Sequence, residues 1–471
     1  MRIPGIRRYV IDNLKFMFKP TSVAVIGASR DPKKIGYQCL KNLIDGGYEG
    51  RIFPINPNAD ELLGLRCYPS VKSVKEDIDL ALVVVPARLT ERIVTECAEK
   101  HVKTIAMITS GFSEVGNKEL EDKIVGICRK NKIPLLGPNI VGVADTSVKC
   151  NASFCQSLPY PGHIAFISQS GALAIALVGW TWKFKIGLSS LASIGNKADV
   201  DFSELILYYA ERDENTRCIC MYIEGVDAGP EFIEACKRAY VKKPIIALKA
   251  GVSERGTVAA ASHTGSLAGS SKIYMAAFKQ GCVIPAENLT EMFDRALALS
   301  LQPPMMGDMC MVITNGGGAG VSATDAAEKY GIPLHETPED LKDKARKFMP
   351  PFGSVKNPID LTGMGTKEWY EGAITVALEH KEVDSVAVLY CHTAITDPMG
   401  IAEGIYSAVT RYKGVKKPVV ACFIGGVECD EASNWLKERG IPSYPSPERT
   451  MTAMGALREY GRFLERGKVE R

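Results

Sequence analysis

Several short stretches of the sequence pair small, permissive backbone with groups able to hold an anion or carry one. In Ser168-Gln169-Ser170-Gly171-Ala172-Leu173 an apolar run gives way to a helix whose first residues are small. Unsatisfied backbone N–H groups and the helix dipole favour phosphate or carboxylate at such a start. Ser-x-Ser-Gly can be misread as a hydrolase nucleophile turn, but Gly-x-Ser-x-Gly is absent, Gln169 preceding the serine. Helix capping without chemistry is the other reading of this motif. Among six histidines, His101, His335 and His380 sit in charged surroundings and His163 opens a strand. His263 differs: it lies in the run of small residues from Ala259 to Gly269, which lets a phosphate or another backbone come close and leaves the loop room to move. Glu224 ends the apolar run CICMYIEG, where a carboxylate can orient an imidazole or serve as an ordinary salt-bridged acid.

A second group of residues suits a larger ligand. Gly27-Ala28-Ser29-Arg30-Asp31-Pro32-Lys33-Lys34-Ile35-Gly36 is a glycine-bounded loop between a strand and a helix, with N–H groups facing an anion. It lacks the Gly-x-Gly-x-x-Gly spacing, and the next strand ends in Asn56-Pro57 where a dinucleotide site places an acid for the ribose. A nicotinamide-dependent oxidoreductase is therefore disfavoured. Arg30, Lys33 and Lys34 suit a ligand with additional phosphate, and Val85-Pro86-Ala87 and Ser110-Gly111-Phe112 offer small, apolar rims at neighbouring strand ends. Farther on, Asn315-Gly316-Gly317-Gly318, Asn357-Pro358-Ile359-Asp360-Leu361-Thr362-Gly363 and His392-Thr393-Ala394 are turns rich in backbone donors, expected to converge at one sheet edge or to be plain tight turns.

Such loops need rigid strands behind them. Between Ser22 and Leu136 short aliphatic runs (SVAVIG, RIFPIN, LALVVVP, TIAMIT, IPLLG) alternate with charged stretches of helical length, a parallel α/β unit with both sheet faces covered and functional loops at the strands' carboxyl ends. Thr146 to Gly162 loses the pattern and reads as a linker. A second unit shows HIAFIS, GLSSLAS, CICMYIEG, KPIIALKAG and CVIP as strands, closed by a helix over Asn288 to Leu301 before Gln302-Pro303-Pro304. The third opens with MCMVITNGGGAG, continues with SVAVLYCH and KPVVACFIGG, and ends in a charged helix around Ser446 to Glu470. The fold class is thus α/β, three tandem doubly wound domains, divided as 1–18 (an N-terminal extension holding a short tethering helix), 19–147, 148–302 and 303–471.

Composition narrows the function. At about 150 residues per domain, 471 residues suit roughly three domains. With 57 Lys plus Arg against 54 Asp plus Glu there is no basic block for a nucleic-acid backbone. Fourteen scattered cysteines without a Cys-x-x-Cys pair suit reduced, buried thiols of a cytoplasmic protein, with no metal site. Gly162 to Trp182 runs 21 residues without a formal charge, but Ser168 to Gly171 splits it into a strand and a helix, so no membrane span is expected.

Taken as an ordered set, Ile26-Gly-Ala-Ser-Arg-Asp-Pro32, Gly137-Pro-Asn139, Ile167-Ser-Gln-Ser-Gly171, Tyr222-Ile-Glu-Gly225, Ser262-His-Thr-Gly265, Asn315-Gly-Gly-Gly318 and Asn357 to Gly363 resemble the NDP-forming acyl-CoA synthetases, relatives of succinyl-CoA synthetase. The resemblance runs from about Lys19 to the C-terminus and is nearest to α subunits of the ADP-forming acetyl-CoA type. It implies a Rossmann-like CoA-binding domain followed by two flavodoxin-like ligase domains. It also implies a reversible reaction in three stages: acyl-CoA and phosphate give acyl phosphate and CoA, the phosphoryl group moves to a histidine, and ADP takes it up. By resemblance His263 is the phosphorylated histidine, Glu224 the acid that steadies it, and Ser170, Gly171 and Ala172 the phosphate-binding helix start. Asn315, Gly316, Gly317, Thr393 and Ala394 complete the phosphate or acyl site, and Asn139 joins the CoA contacts. A neutral imidazole can attack an acyl phosphate, and opposed helix N-termini stabilise the transferring group. The sequence has no ATP-grasp-sized segment and no Walker-type run, so ADP or ATP with Mg2+ is expected on a separate ATP-grasp β subunit, in an α2β2 assembly. A CoA-binding regulatory protein on the same scaffold is the non-enzymatic alternative, opposed by the presence of both His263 and Glu224. Acyl-chain specificity is not readable.

Overall fold

The aliphatic runs become strands of three open sheets. The structure, a computed structural model, describes residues 5–253, 255–256 and 271–469. The chain divides at Pro285 and Ala286 into two compact units.

In the first unit, β1 (Ser22–Ile26), β2 (Arg51–Ile55), β5 (Leu80–Val83), β6 (Thr104–Met107) and β7 (Leu135–Leu136) form a parallel sheet in the order β2-β1-β5-β6-β7, while β3 (Glu61–Leu62) and β4 (Leu65–Arg66) make a small separate hairpin. Chain order reverses between β1 and β5, and in an open α/β sheet ligands bind where it does so. Ala24, Ile26, Ala81, Val83, Ile105 and Met107 pack in one core with Ile93, Val94 and Ile124 from the helices Thr90–Glu99 and Lys118–Lys130.

The second sheet follows the order β14-β13-β12-β10-β11-β8-β9, from β8 (Gly142–Asp145), β9 (Cys150–Ser153), β10 (Pro161–Ser168), β11 (Leu188–Ser193), β12 (Cys218–Ile223), β13 (Ile245–Lys249) and β14 (Ile284–Ala286). Its switch strand is β10, flanked by β11 on one side and β12 on the other. Thr146 to Gly162 corrects the linker reading. Cys150 to Ser153 pairs antiparallel with β8, which itself pairs antiparallel with β11, so a two-stranded edge extends the sheet. Asp145, at the end of β8, accepts from the Ser147 amide at 2.9 Å to shape the turn. The uncharged stretch splits as expected into β10 and the helix Gly171–Phe184, and among the described residues no helix is long and apolar enough to cross a membrane.

The two sheets of this unit meet around a buried carboxylate. Asp199 accepts from Arg129 Nε at 2.8 Å and the Leu135 amide at 3.2 Å, and pairs with Arg7. Arg7 also reaches Glu204 at 3.1 Å. The short helices Arg8–Asn13 and Lys15–Phe18 follow, burying Val10, Ile11, Leu14, Met17 and Phe18, with the Phe18 ring stacked on Tyr208 at 5.4 Å. The single short helix expected here is two, Arg8–Asn13 and Lys15–Phe18.

The second unit has one parallel sheet, β16-β15-β17-β18-β19, from β15 (Cys310–Thr314), β16 (Ile359–Asp360), β17 (Ser385–Cys391), β18 (Val419–Ile424) and β19 (Ser443–Tyr444), with β15 at its switch point. The helix Leu289–Leu301, which the sequence reading uses to close the preceding unit, packs here along the C-terminal helix Pro447–Val469. Asp294 takes two 2.7 Å bonds from Arg449, and its carbonyl accepts from the Tyr444 hydroxyl at 2.6 Å. All fourteen cysteines are free, twelve of them buried. Burial pushes the Cys150 thiol up to about 12 and that of Cys155 to about 11.

Asp199→Ala leaves Arg7, Arg129 and the Leu135 amide without their shared acceptor. Because removing one partner of a buried ion pair costs about 3–5 kcal/mol, the variant should unfold at markedly lower denaturant concentration, while substitution of the exposed Asp122 should leave the midpoint within experimental error.

Candidate active site

The five carboxyl ends of the first sheet carry, in spatial order, Asn56, Gly27, Val85, Ser110 and the turn Gly137-Pro138-Asn139. Gly27 has φ +98°, and a Cβ there would lie 2.5 Å from the Val84 carbonyl oxygen. A Cβ on Gly36 would collide with the Gly27 carbonyl, so both glycines are needed to bring the helix Ile35–Asp45 down onto the loop. Asn56 donates from Nδ2 to the Ala28 carbonyl at 2.8 Å and so braces this loop from the next strand. Arg30, Lys33 and Lys34 are exposed beside it, Val85 and Ala87 are half-buried, and Pro86 and Ser110 are exposed. Phe112 corrects the sequence reading. Its ring is fully buried in the core of the first sheet, so it anchors its loop and offers no rim to a ligand.

This edge continues into a cavity of about 350 Å³ shared with the second sheet. On one wall the helix Gly171–Phe184 begins, and Ser170 caps it by accepting the Leu173 amide at 3.4 Å. The amides of Gly171 and Ala172, in the first turn, have no intrahelical acceptor, and both residues line the cavity, where such donors suit an anion. Gln169 fixes the opposite wall: its Oε1 accepts from the amides of Glu224 at 2.8 Å and Gly225 at 2.9 Å, holding the end of β12 against the helix start. Glu224 is half-buried and lines the cavity. Behind it, burial lowers the Lys249 ammonium, a shift that the Glu224 carboxylate opposes. His263 lies outside the described residues.

The lining also includes Asn196, Lys197, Glu114 and Asp227, which were not singled out from the sequence. Asn196 and Lys197 follow β11, Glu114 follows β6, and Asp227 follows β12. The Asn196 side-chain amide reaches Ser113 Oγ at 3.1 Å, Glu114 Oε2 at 2.6 Å and Glu121 Oε2 at 2.9 Å, and its Oδ1 accepts from Asn139 at 3.3 Å. Asn139 itself has φ +63° and takes its place through this contact. Glu114 also accepts the Gly111 and Phe112 amides, at 2.5 and 3.2 Å. Burial works to raise the Glu114 carboxyl, but these bonds, led by Asn196, outweigh it and hold the group below the usual carboxylate range. The signal available in the sequence was positional: Gly195-Asn196-Lys197 directly follows a strand end.

In the second unit the predicted turns do lie at one carboxyl edge, with altered roles. The Asn315 side chain is spent on Cys391, donating to its carbonyl at 2.9 Å and accepting its amide at 2.7 Å. The Gly316 amide donates to Thr314 Oγ1 at 3.0 Å. Both residues therefore position the turn, and the donors left for an anion are those of Gly317 onward, where the helix Gly317–Lys329 begins. Thr393 is half-buried and donates to the Gly363 carbonyl at 3.2 Å, bringing two of the turns together, and Ala394 is exposed. Asn357 is structural, tying the Cys310 and His335 carbonyls.

Three family models match successive parts of the chain. A family model for a CoA binding domain matches residues 21–146, one for the succinyl-CoA ligase like flavodoxin domain matches 161–299, and one for the ligase-CoA domain matches 310–466. In that succession they define a CoA ligase architecture. The Pyrococcus furiosus acetate–CoA ligase [ADP-forming] I subunit alpha is 50% identical over 462 residues, 97% of this chain and 99% of that one. The Nitrosopumilus maritimus 4-hydroxybutyrate–CoA ligase [ADP-forming] is 32% identical over 95% of this chain, which spans 64% of its length. A solved structure of a Ca. Korarchaeum cryptofilum dinucleotide forming acetyl-coenzyme A synthetase 1 in complex with phosphate and ADP superposes with a TM-score of 0.92 at 45% identity, covering 96% of this chain and 98% of that one. The chain belongs to the family of ADP-forming acetate–CoA ligase α subunits.

Gln169→Leu keeps comparable bulk but strips the acceptor from two amides beside Glu224. Each unsatisfied buried donor costs about 1–3 kcal/mol, so acyl-CoA-dependent turnover should fall by roughly tenfold or more while the half-saturating CoA concentration changes little. Parallel loss of CoA affinity would show that Gln169 supports the whole edge and not the Glu224 wall.

Proposed function

We propose that this chain is the α subunit of an ADP-forming acyl-CoA synthetase that reversibly converts acyl-CoA, ADP and phosphate to carboxylic acid, CoA and ATP. The observation that carries the reading is the cavity that sets the open amides of Gly171 and Ala172 against Glu224 at the edge of the predicted CoA loops. Residues 19–147 bind CoA, with its phosphates at Gly27 to Gly36 beside Arg30 and Lys34 and its pantetheine passing Val85 to Ala87. Residues 148–302 carry the phosphohistidine loop, and Thr393 is a phosphate contact of residues 303–471. Acetyl-CoA is the first substrate to test, the 50% identical relative being named for acetate; 4-hydroxybutyryl-CoA is a second, a 32% identical relative being named for that acid.

The chemistry divides into steps that positioned electrostatics can drive. A phosphate oxygen held at the helix start attacks the thioester carbonyl, and CoA leaves as its thiol, giving acyl phosphate. The imidazole of His263 then attacks phosphorus and the carboxylate departs. The Gly171 and Ala172 amides stabilise charge on the non-bridging oxygens, and Glu224 stabilises the cationic phosphoimidazole. Transfer to the terminal oxygen of ADP regenerates the histidine. The small residues around His263 allow it to carry the group between sites. We assign the nucleotide, with Mg2+, to an ATP-grasp β subunit in an α2β2 assembly; the subunit naming of the relative that this chain covers almost completely supports a partner. A cytoplasmic setting suits the free thiols. The brace from Asn56 to the Ala28 carbonyl speaks against a nicotinamide dinucleotide, since that position carries no ribose-binding acid.

Incubation of the assembled protein with acetyl-CoA and labelled phosphate should place label on His263, stable in base and lost in acid. His263→Ala should abolish turnover, and Glu224→Gln should lower the label roughly 10- to 100-fold without unfolding the chain. Acid-stable label on a serine, or an active His263→Ala protein, overturns the phosphohistidine reading. The chain purified alone should make no ATP.

A further inference from the structure

We infer that Lys197 binds the attacking phosphate in the thioester-cleaving step, an assignment that rests on the acyl-phosphate reading above and names a residue for it. Of the described side chains lining the cavity, Glu114, Glu224 and Asp227 are acidic and Lys197 is the one lysine or arginine. A phosphate carrying one to two negative charges cannot sit among three carboxylates on helix-start amides alone, because like charges in a partly desolvated site repel strongly. The lysine is placed to offset them. Its side chain is only 5% exposed, whereas its ion-pair partner Asp227, at 2.8 Å, is 66% exposed. An ammonium has been drawn out of water toward a carboxylate that remains in it, and a pair of that kind contributes little by itself. The second bond runs to the Gly225 carbonyl at 2.9 Å, next to Glu224. Two of the three ammonium hydrogens are thereby directed, and the third has no protein acceptor among the described residues. The backbone at Lys197 has φ +56°, the left-handed region a lysine adopts at a cost when the surrounding turn imposes it. That turn is imposed: the Lys197 amide donates to the Ile194 carbonyl at 3.1 Å, and the flanking amides of Asn196 and Ala198 donate to Pro138 and Gly137 at 3.0 and 3.1 Å.

Arsenate tests the assignment without involving the histidine or the nucleotide. It can replace phosphate in the first step: an arsenate oxygen forms a bond to the acyl carbon, the C–S bond breaks and CoA leaves as thiol, and water then hydrolyses the acyl arsenate to carboxylate and arsenate. CoA release from acetyl-CoA by the full-length protein with its co-purified partner is followed against arsenate concentration. Lys197→Met should raise the half-saturating arsenate concentration at least about tenfold while that of acetyl-CoA stays within about twofold, and Lys197→Arg should recover most of the loss. Asp227→Asn, which removes a competing carboxylate but also breaks the ion pair, should leave the arsenate requirement at or below that of the unsubstituted protein. Equal rises for arsenate and acetyl-CoA in Lys197→Met, or an arsenate requirement in Asp227→Asn that rises like that of Lys197→Met, overturn the assignment in favour of a structural tie. Arsenolysis retained in His263→Ala separates this step from the phosphohistidine. Its absence from the unsubstituted protein overturns both the acyl-phosphate reading and the role of Lys197.

Discussion

The backbone of residues 195–200 ties the CoA sheet to the sheet bearing Ser170 and Glu224. It runs alongside residues 135–139 of the first sheet, with the amides of Asn196, Ala198 and Val200 donating to the carbonyls of Pro138, Gly137 and Leu135. Gly195 is a glycine because any side chain would strike the Pro138 and Asn139 carbonyls. From this backbone track Asn196 reaches the loop after β6, Lys197 reaches the end of β12, and Asp199 is buried among Arg7, Arg129 and the Leu135 amide. Thioester and phosphate must meet within bonding distance, and reaction rates fall steeply when such groups are misplaced by an ångström. A hydrogen-bonded track with a buried charge at its end supplies that tolerance better than apolar packing, which can slide.

The site then follows from topology. Gly27, Ser170 and Asn315 each stand at the end of the strand from which neighbouring connections diverge, β1, β10 and β15. At those points the loops on either side part and leave a crevice, and the helix that follows presents its unpaired amides to it. Three times the chain places the same strand, small turn and helix start at the same topological position, and only the side chains around it differ.

Much of this was legible because strands buried on both faces must be aliphatic and the turns that bind anions must be small. The runs SVAVIG, LALVVVP and CICMYIEG became central strands, and Gly171, Ala172 and Glu224 line one cavity. What escaped depends on partners distant in sequence. The β8–β9 edge has strands of four residues each whose pairing is set by the sheet they join, too short for a local period to mark them. Phe112 looked like a rim because it follows a strand end, but the turn folds its ring back beneath the sheet. Asn315 looked like a ligand donor, and only the position of β17 beside β15 shows that Cys391 uses both of its polar atoms. Lys197 carries no motif that sets it apart from any lysine after a glycine; its burial against Gly225 makes it distinct.

The withdrawn cysteines bear on the reagent this site handles. Thioesters acylate thiolates readily, and a protein that holds them at high local concentration is exposed to acyl transfer onto its own sulfur. Phe154 lines the cavity, yet its neighbour Cys155 is buried with its thiol pushed up to about 11, leaving very little thiolate at neutral pH. Cys150, at the start of β9, is held higher still, at about 12. Cys150 and Cys155 are thereby withdrawn from acyl transfer by the same burial that builds the core, and the thiol of coenzyme A meets no competitor from them.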